Sequence, residues 1–216
     1  MLKIAVLVSG GGTNLQALID ARESAQIKNG NINLVVASRA DAYALTRAEK
    51  ANIPTRVLLR KNFDSAEAYS EGLADLLQEN EIDLVVLAGF MTVISDTFVK
   101  QFENRIINIH PSLIPAFCGK GFYGLKVHEE ALARGVKLTG ATAHFVNEIC
   151  DGGPIILQKA VTVQENDTAE TLQKRVMQEA EWEILPKAVS LFCEGRLSVS
   201  AGKVKITEKG EQACNH

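Results

Sequence analysis

Short β-branched runs that are apolar on both faces, separated by helical patterns, constrain this chain more than any other feature. KIAVLVS (3–9), INLVVAS (32–38) and DLVVLAG (83–89) leave no polar face for solvent. Such strands belong inside a parallel sheet covered by helices on each side. TRVLL (55–59), RIINIH (105–110), GATAHFV (140–146) and PIILQKAVTV (154–163) read as further strands. Helical patterns run over 14–23, 41–51, 64–79, 96–102, 126–134 and about 168–194. Strands alternating with helices imply right-handed βαβ units. The expected fold is therefore α/β, a doubly wound, mostly parallel sheet with a Rossmann-like N-terminal half. Asp167 with Glu170 reads as the cap of the last helix, Gly195 as its stop and Pro186 as the point where it kinks or splits. RLSVSAGKVKI (196–206) reads as a hairpin around Ala201-Gly202. No repeat or linker interrupts the 216 residues, so one domain is expected over 1–216.

Composition excludes several classes. The net charge of −3 argues against a nucleic-acid surface, which carries a basic excess. No run approaches the roughly 18 apolar residues of a membrane span. The N-terminal apolar stretch is cut short by glycines, so it reads as a first strand rather than a signal peptide. Cys118, Cys150, Cys193 and Cys214 form no CxxC pair, which suits a reducing compartment. A cytoplasmic protein is expected.

The first strand ends in SGGGTN (9–14), immediately before LQALI. Glycines permit a tight turn, and the following helix N-terminus presents free N–H groups to an anion. Thr13 and Asn14 add side-chain donors. No lysine follows, so this is not a P-loop. Leu15 stands where a dinucleotide fingerprint needs its third glycine, and the second strand ends Ser38-Arg39 rather than in an acid. A small substrate's terminal phosphate fits Gly12, Thr13 and Asn14, with a plain tight turn as the alternative.

Polar residues gather in the centre of the chain. Asn108 and His110 are two apart and so share one strand face, and Thr142 and His144 repeat that spacing on the next strand. Ligands in open parallel sheets bind outside the carboxyl ends of strands. A lone histidine there is more often a satisfied core residue. Two pairs beside Asp151-Gly152-Gly153 reverse that balance. No metal is expected, because HExxH and Cys/His spacings are absent and His128 falls on a helix of unsettled register. There is no GxSxG, and no cysteine has a setting that marks it as a nucleophile. Direct transfer between two bound substrates fits these residues better. An amide and an imidazole would stabilise an oxyanion, with a carboxylate orienting the ring.

SGGGTNLQALI, LAGFM (87–91), NIHPSLIPAFCG (108–119), TGATAHFV (139–146) and DGGPIILQ (151–158) follow in order. Together they resemble the folate-dependent formyltransferases, in particular the phosphoribosylglycinamide branch, from about residue 2 to 195. The resemblance implies formyl transfer from 10-formyltetrahydrofolate, as co-substrate, to the amine of glycinamide ribonucleotide. It implies a catalytic trio of Asn108, His110 and Asp151, with Asn108 on the formyl oxygen, His110 on the tetrahedral oxyanion and Asp151 keeping the imidazole charged. It places the 5′-phosphate at Gly12, Thr13 and Asn14, and the ribose and glycinamide end at Glu181. Folate would lie along Met91, Thr92 and Val93, facing the loop around Asp151, with Thr142 and His144 supporting the trio. Residues 1–104 would form a phosphate-binding half, 105–195 a catalytic and folate-binding half, and 196–216 a terminal hairpin and tail. Three departures stand out. Thr92 and Ala66 occupy positions where relatives often carry arginine, with Arg60 and Lys61 nearby, and CGKGFYGLKVHEEAL replaces a shorter loop. Either a monomer or a homodimer suits this reading.

Three rivals are weighed. A formyltetrahydrofolate hydrolase is expected to carry an extra N-terminal domain, whereas this sequence opens on the first strand. A methionyl-tRNA formyltransferase would need an RNA-binding domain after 195. A non-catalytic nucleotide-phosphate or NADP-binding module explains the glycine turn but not Asn108, His110 and Asp151.

Overall fold

A computed structural model describes residues 1–208. Cys214, His216 and most of the expected tail lie outside the described residues. The elements run β1 (Leu2–Val8), α1 (Thr13–Glu23), β2 (Gly30–Ala37), α2 (Tyr43–Lys50), β3 (Thr55–Val57), α3 (Ala66–Glu79), β4 (Leu84–Leu87) and α4 (Asp96–Gln101). The second half continues with β5 (Ile106–His110), α5 (Leu125–Arg134), β6 (Leu138–Phe145), β7 (Ile155–Thr162), α6 (Ala169–Val176) and α7 (Trp182–Cys193). A hairpin of β8 (Leu197–Ser200) and β9 (Lys203–Ile206) follows.

Seven strands form one sheet in the order β3-β2-β1-β4-β5-β6-β7. Pairings from β3 through β5 are parallel, whereas β6 runs antiparallel to both β5 and β7. The chain winds outward from β1 to β3, then returns to place β4 on the other side of β1. That reversal opens a crevice at the carboxyl ends of β1 and β4, where ligands of doubly wound sheets bind.

Strand alternation divides the core in two. Ile4, Val6, Val8, Leu84 and Val86 pack with residues of α1, α2 and α7 on one face. Ala5, Leu7 and Val85 pack with Tyr69, Leu73 and Phe98 of α3 and α4 on the other. Residues Ile4 to Val8 are fully buried, as runs apolar on both faces require.

The last helical stretch departs from expectation in two ways. Its N-cap is Thr168, in a reciprocal box with Thr171, and not Asp167 with Glu170. Asp167 instead accepts two hydrogen bonds from Arg175, at 2.6 and 2.5 Å, and the guanidinium holds its carboxyl down at about 2. The break also falls upstream of Pro186. A π turn over Met177–Glu181 separates α6 from α7, with the Trp182 N–H reaching back five residues to the Met177 carbonyl. Pro186 itself lies inside α7. Single π turns inside helices recur at functional sites, and this one ends on the buried Glu181.

Candidate active site

The candidate catalytic cluster is built where β5 meets β6. Antiparallel register sets Asn108 directly opposite His144, and His110 opposite Thr142. The two expected pairs are thus cross-strand neighbours. His144 Nδ1–H donates to the Phe145 carbonyl at 2.8 Å, which leaves Nε2 to accept from Asn108 Nδ2 at 3.2 Å. One Nδ2–H of Asn108 remains for another oxygen. Burial is the main cause that pushes the His144 ring down from its ordinary value, in keeping with that neutral tautomer.

His110 is buried and faces two acceptors. Nε2–H donates to the Phe117 carbonyl at 2.8 Å, and Nδ1 lies 3.5 Å from Asp151 Oδ2. The ring is thus held between a backbone carbonyl and a carboxylate. The same Asp151 oxygen accepts from the Gly119 N–H at 2.8 Å, while Oδ1 lies 3.8 Å from His144 Nε2. Asp151 therefore touches both histidines and ties the 117–119 loop to the site.

Local conformation explains how Asp151 arrives. It sits at φ 55, in a left-handed conformation that aspartate tolerates, and the Gly152 N–H closes the turn on the Ile149 carbonyl at 2.9 Å. A Cβ at Gly153 would lie 1.8 Å from the Phe145 carbonyl, so this loop can pack on β6 only with glycine there.

Thr142 does not point at the reacting groups. Its hydroxyl donates to the Ser112 carbonyl at 2.7 Å and accepts from the Ile114 N–H at 3.1 Å, pinning the proline-rich loop. Gln158, opposite Thr142 on β7, adds bonds to that hydroxyl and to the Ile114 carbonyl. Sequence reading missed Gln158; only the β6–β7 register exposes it. His128 is wholly buried on α5, and burial first, then the His110 charge, pushes it down to about 4. The thiols of Cys118 and Cys150 are pushed up, chiefly by burial, which disfavours a thiolate nucleophile. Among the described residues no group of three or more His, Cys, Asp or Glu is arranged to hold a metal ion.

At the other end of the crevice, Gly12 is the residue before α1, at φ 71 and ψ 33. A Cβ there would meet Ala44 Cβ at 2.6 Å, so glycine is required by both conformation and contact. The Asn14 side chain, expected to face a phosphate, turns inward instead. Its Nδ2 donates to Glu181 Oε2 at 2.7 Å, because the π turn brings that carboxyl against α1. Burial pushes Glu181 up to about 7, against the opposing pull of the Asn14 bond. Met91 and Val93 are exposed in the irregular segment after β4, and the Met91 N–H donates to Ser9 Oγ at 2.8 Å. Ser9, also bonded to Ser38 Oγ, links the glycine turn to that segment.

A groove of about 420 Å³ runs along α1, lined by Thr13, Gln16, Asp20, Arg47 and Trp182 among others. It touches the glycine turn but none of Asn108, His110 and Asp151. The crevice at the strand ends, where those groups converge, is the better candidate for chemistry. Among the described residues no helix is long and apolar enough to cross a membrane.

A glycine turn at the switch point, with a polar strand pair one strand beyond β4, suits a group-transfer enzyme of the doubly wound class. The formyl transferase family model matches residues 2–189, and the chain belongs to that family. It is 44% identical over 197 residues to phosphoribosylglycinamide formyltransferase of Haemophilus influenzae, covering 91% of this chain and 90% of that one. The crystal structure of glycinamide ribonucleotide transformylase 1 from Symbiobacterium toebii superposes with a TM-score of 0.90 at 44% identity, covering 96% of this chain and 95% of that one. The trifunctional purine biosynthetic protein adenosine-3 of Bos taurus is 43% identical over 96% of this chain, which spans only 19% of that longer protein.

Proposed function

We propose that this chain transfers the formyl group of 10-formyltetrahydrofolate to the amine of glycinamide ribonucleotide, a step of purine biosynthesis. The observation that carries the reading is the convergence of Asn108, His110 and Asp151 on one end of β5, in a member of this family. Both co-substrates are small molecules, and a cytoplasmic setting suits them.

The roles follow from the hydrogen bonds. Asn108 offers its remaining Nδ2–H to the formyl oxygen, with its plane fixed by His144. The imidazolium of His110 lies beside the negative charge that grows on that oxygen as the amine attacks. A preorganised donor such as the Asn108 amide is worth on the order of 10²–10³ in rate, and His110 acts beside it through its charge. Asp151 keeps His110 charged and oriented, and accepts a proton from the attacking amine through water; collapse of the intermediate breaks the formyl C–N10 bond, and N10 takes up a proton as tetrahydrofolate leaves. The amides of Gly12, Thr13 and Asn14 hold the 5′-phosphate, while Glu181 faces the ribose and glycinamide end. Met91, Thr92 and Val93 offer the folate an apolar edge and backbone groups. Residues 1–104 would supply the phosphate turn and the Met91–Val93 edge of the folate site, and 105–195 the catalytic trio, the rest of the folate site and Glu181.

A formyl-transfer assay with both substrates, and water as the competing acceptor, tests the reading. Formylated glycinamide ribonucleotide is the expected product. Release of formate alone, independent of the amine, would assign the chain to hydrolysis instead.

A further inference from the structure

The glycine turn is clamped from outside by α2. The Ala44 N–H donates to the Gly10 carbonyl at 3.1 Å, and Arg47 Nε–H donates to the Gly11 carbonyl at 2.8 Å. The Gln16 N–H closes on the Gly12 carbonyl at 2.9 Å. Three successive carbonyls are therefore occupied by protein donors. The N–H groups of Gly11, Gly12 and Thr13 have no acceptor among the described residues. A turn whose carbonyls all point away from the crevice leaves its amides as a concave row suited to an anion.

Of those three carbonyls, only that of Gly11 depends on a side chain. Arg47 is half-buried and held firmly in place. Its Nη1 donates to Gln16 Oε1 at 3.0 Å, and its guanidinium lies 5.1 Å over the Tyr43 ring. Gln16 in turn donates to Asp20 Oδ1 at 2.8 Å, which keeps that carboxylate one residue removed. Among the described residues Arg47 makes no ion pair, so no carboxylate directly offsets its charge beside the turn.

We infer that Arg47 is a positioning residue for the substrate's phosphate: it turns the Gly11 carbonyl away from the anion and fixes a positive charge beside the amide row. This rests on the reading of the glycine turn as the phosphate site. The test compares the parent with Arg47→Met and Arg47→Lys in steady-state formyl transfer, with folding checked by thermal melting. Arg47→Met is expected to raise KM for glycinamide ribonucleotide about 10- to 100-fold, the effect of one charge-assisted bond. Its kcat and its KM for 10-formyltetrahydrofolate should stay at parent values. Arg47→Lys keeps the charge without the fork and should fall between. An unchanged KM in Arg47→Met, or an equal fall in kcat, overturns the inference. Should Arg47→Met fail to fold, a parent-like KM in Arg47→Lys overturns it and a raised one supports it. Failure of the parent chain to formylate glycinamide ribonucleotide would sink the functional reading itself, a result distinct from parent turnover with an indifferent Arg47 variant.

Discussion

On the proposed function, the glycine turn would offer a ligand backbone amides, whereas the β5–β6 pair would offer side chains standing in strand positions. The first kind of site is specified by what the chain must lack. Gly12 works because it carries no Cβ at φ 71 and none against Ala44. The second kind is specified by register, since a one-residue slip of β6 would turn Thr142 and His144 to the opposite face. A conformational site should therefore fail in affinity, and a register-built cluster in turnover.

The largest expected effect is on the cluster. His110→Ala and Asp151→Asn should each lower kcat by on the order of 10²–10⁴-fold while KM for glycinamide ribonucleotide stays at the parent value. Parent-like turnover in either variant would break the contrast.

Glu181 bonds to Asn14 behind the glycine turn, and it should be read in stability. Its folded carboxyl is raised to about 7, against an ordinary value of 4.5. Between those two values the folded chain holds a proton that the unfolded chain releases. Stability therefore falls as pH rises from about 4.5 to about 7, then levels off. Glu181→Gln removes that titration and should gain on the parent across the window by up to about 3 kcal/mol. Parallel urea melts at both ends of the window check the slope, and identical pH profiles would remove Glu181 as its cause.

Gly12→Ala comes next. The left-handed conformation alone costs a side chain about 1–2 kcal/mol. KM for glycinamide ribonucleotide should rise about tenfold or more, with kcat near the parent value. A loss confined to kcat would mean that the turn serves chemistry rather than phosphate. The smallest effect is expected from Thr142→Val, which leaves the Ser112 carbonyl and the Ile114 N–H without their anchor. If about 1 kcal/mol of that anchoring in all is felt at the transition state, kcat falls roughly fivefold. A change in phosphate-substrate KM instead would blur the division.

Much of this was legible in advance, for reasons that differ by residue. The buried parallel strands showed in β-branched runs, because burial on both faces leaves a local mark. Asn108 and His110 showed because polar side chains interrupt such a run at its end. The role of Thr142 was only half legible, since its partners Ser112, Ile114 and Gln158 come from two other segments. The Asn14–Glu181 bond was not legible, because nothing near Asn14 in sequence announces Glu181. The cap at Thr168 was missed by one residue, as Asp167 is drawn off by Arg175, eight positions ahead.

Sequence alone determined the fold class, the glycine turn and the common face of Asn108 and His110, since period, φ preference and i, i+2 geometry act over a few residues. Only the tertiary structure decided that β6 runs antiparallel to β5, that His144 fixes the Asn108 amide across 36 residues, and that Asn14 meets Glu181 across 167. Those contacts depend on how distant segments pack, and packing between distant segments leaves no periodic trace in the chain.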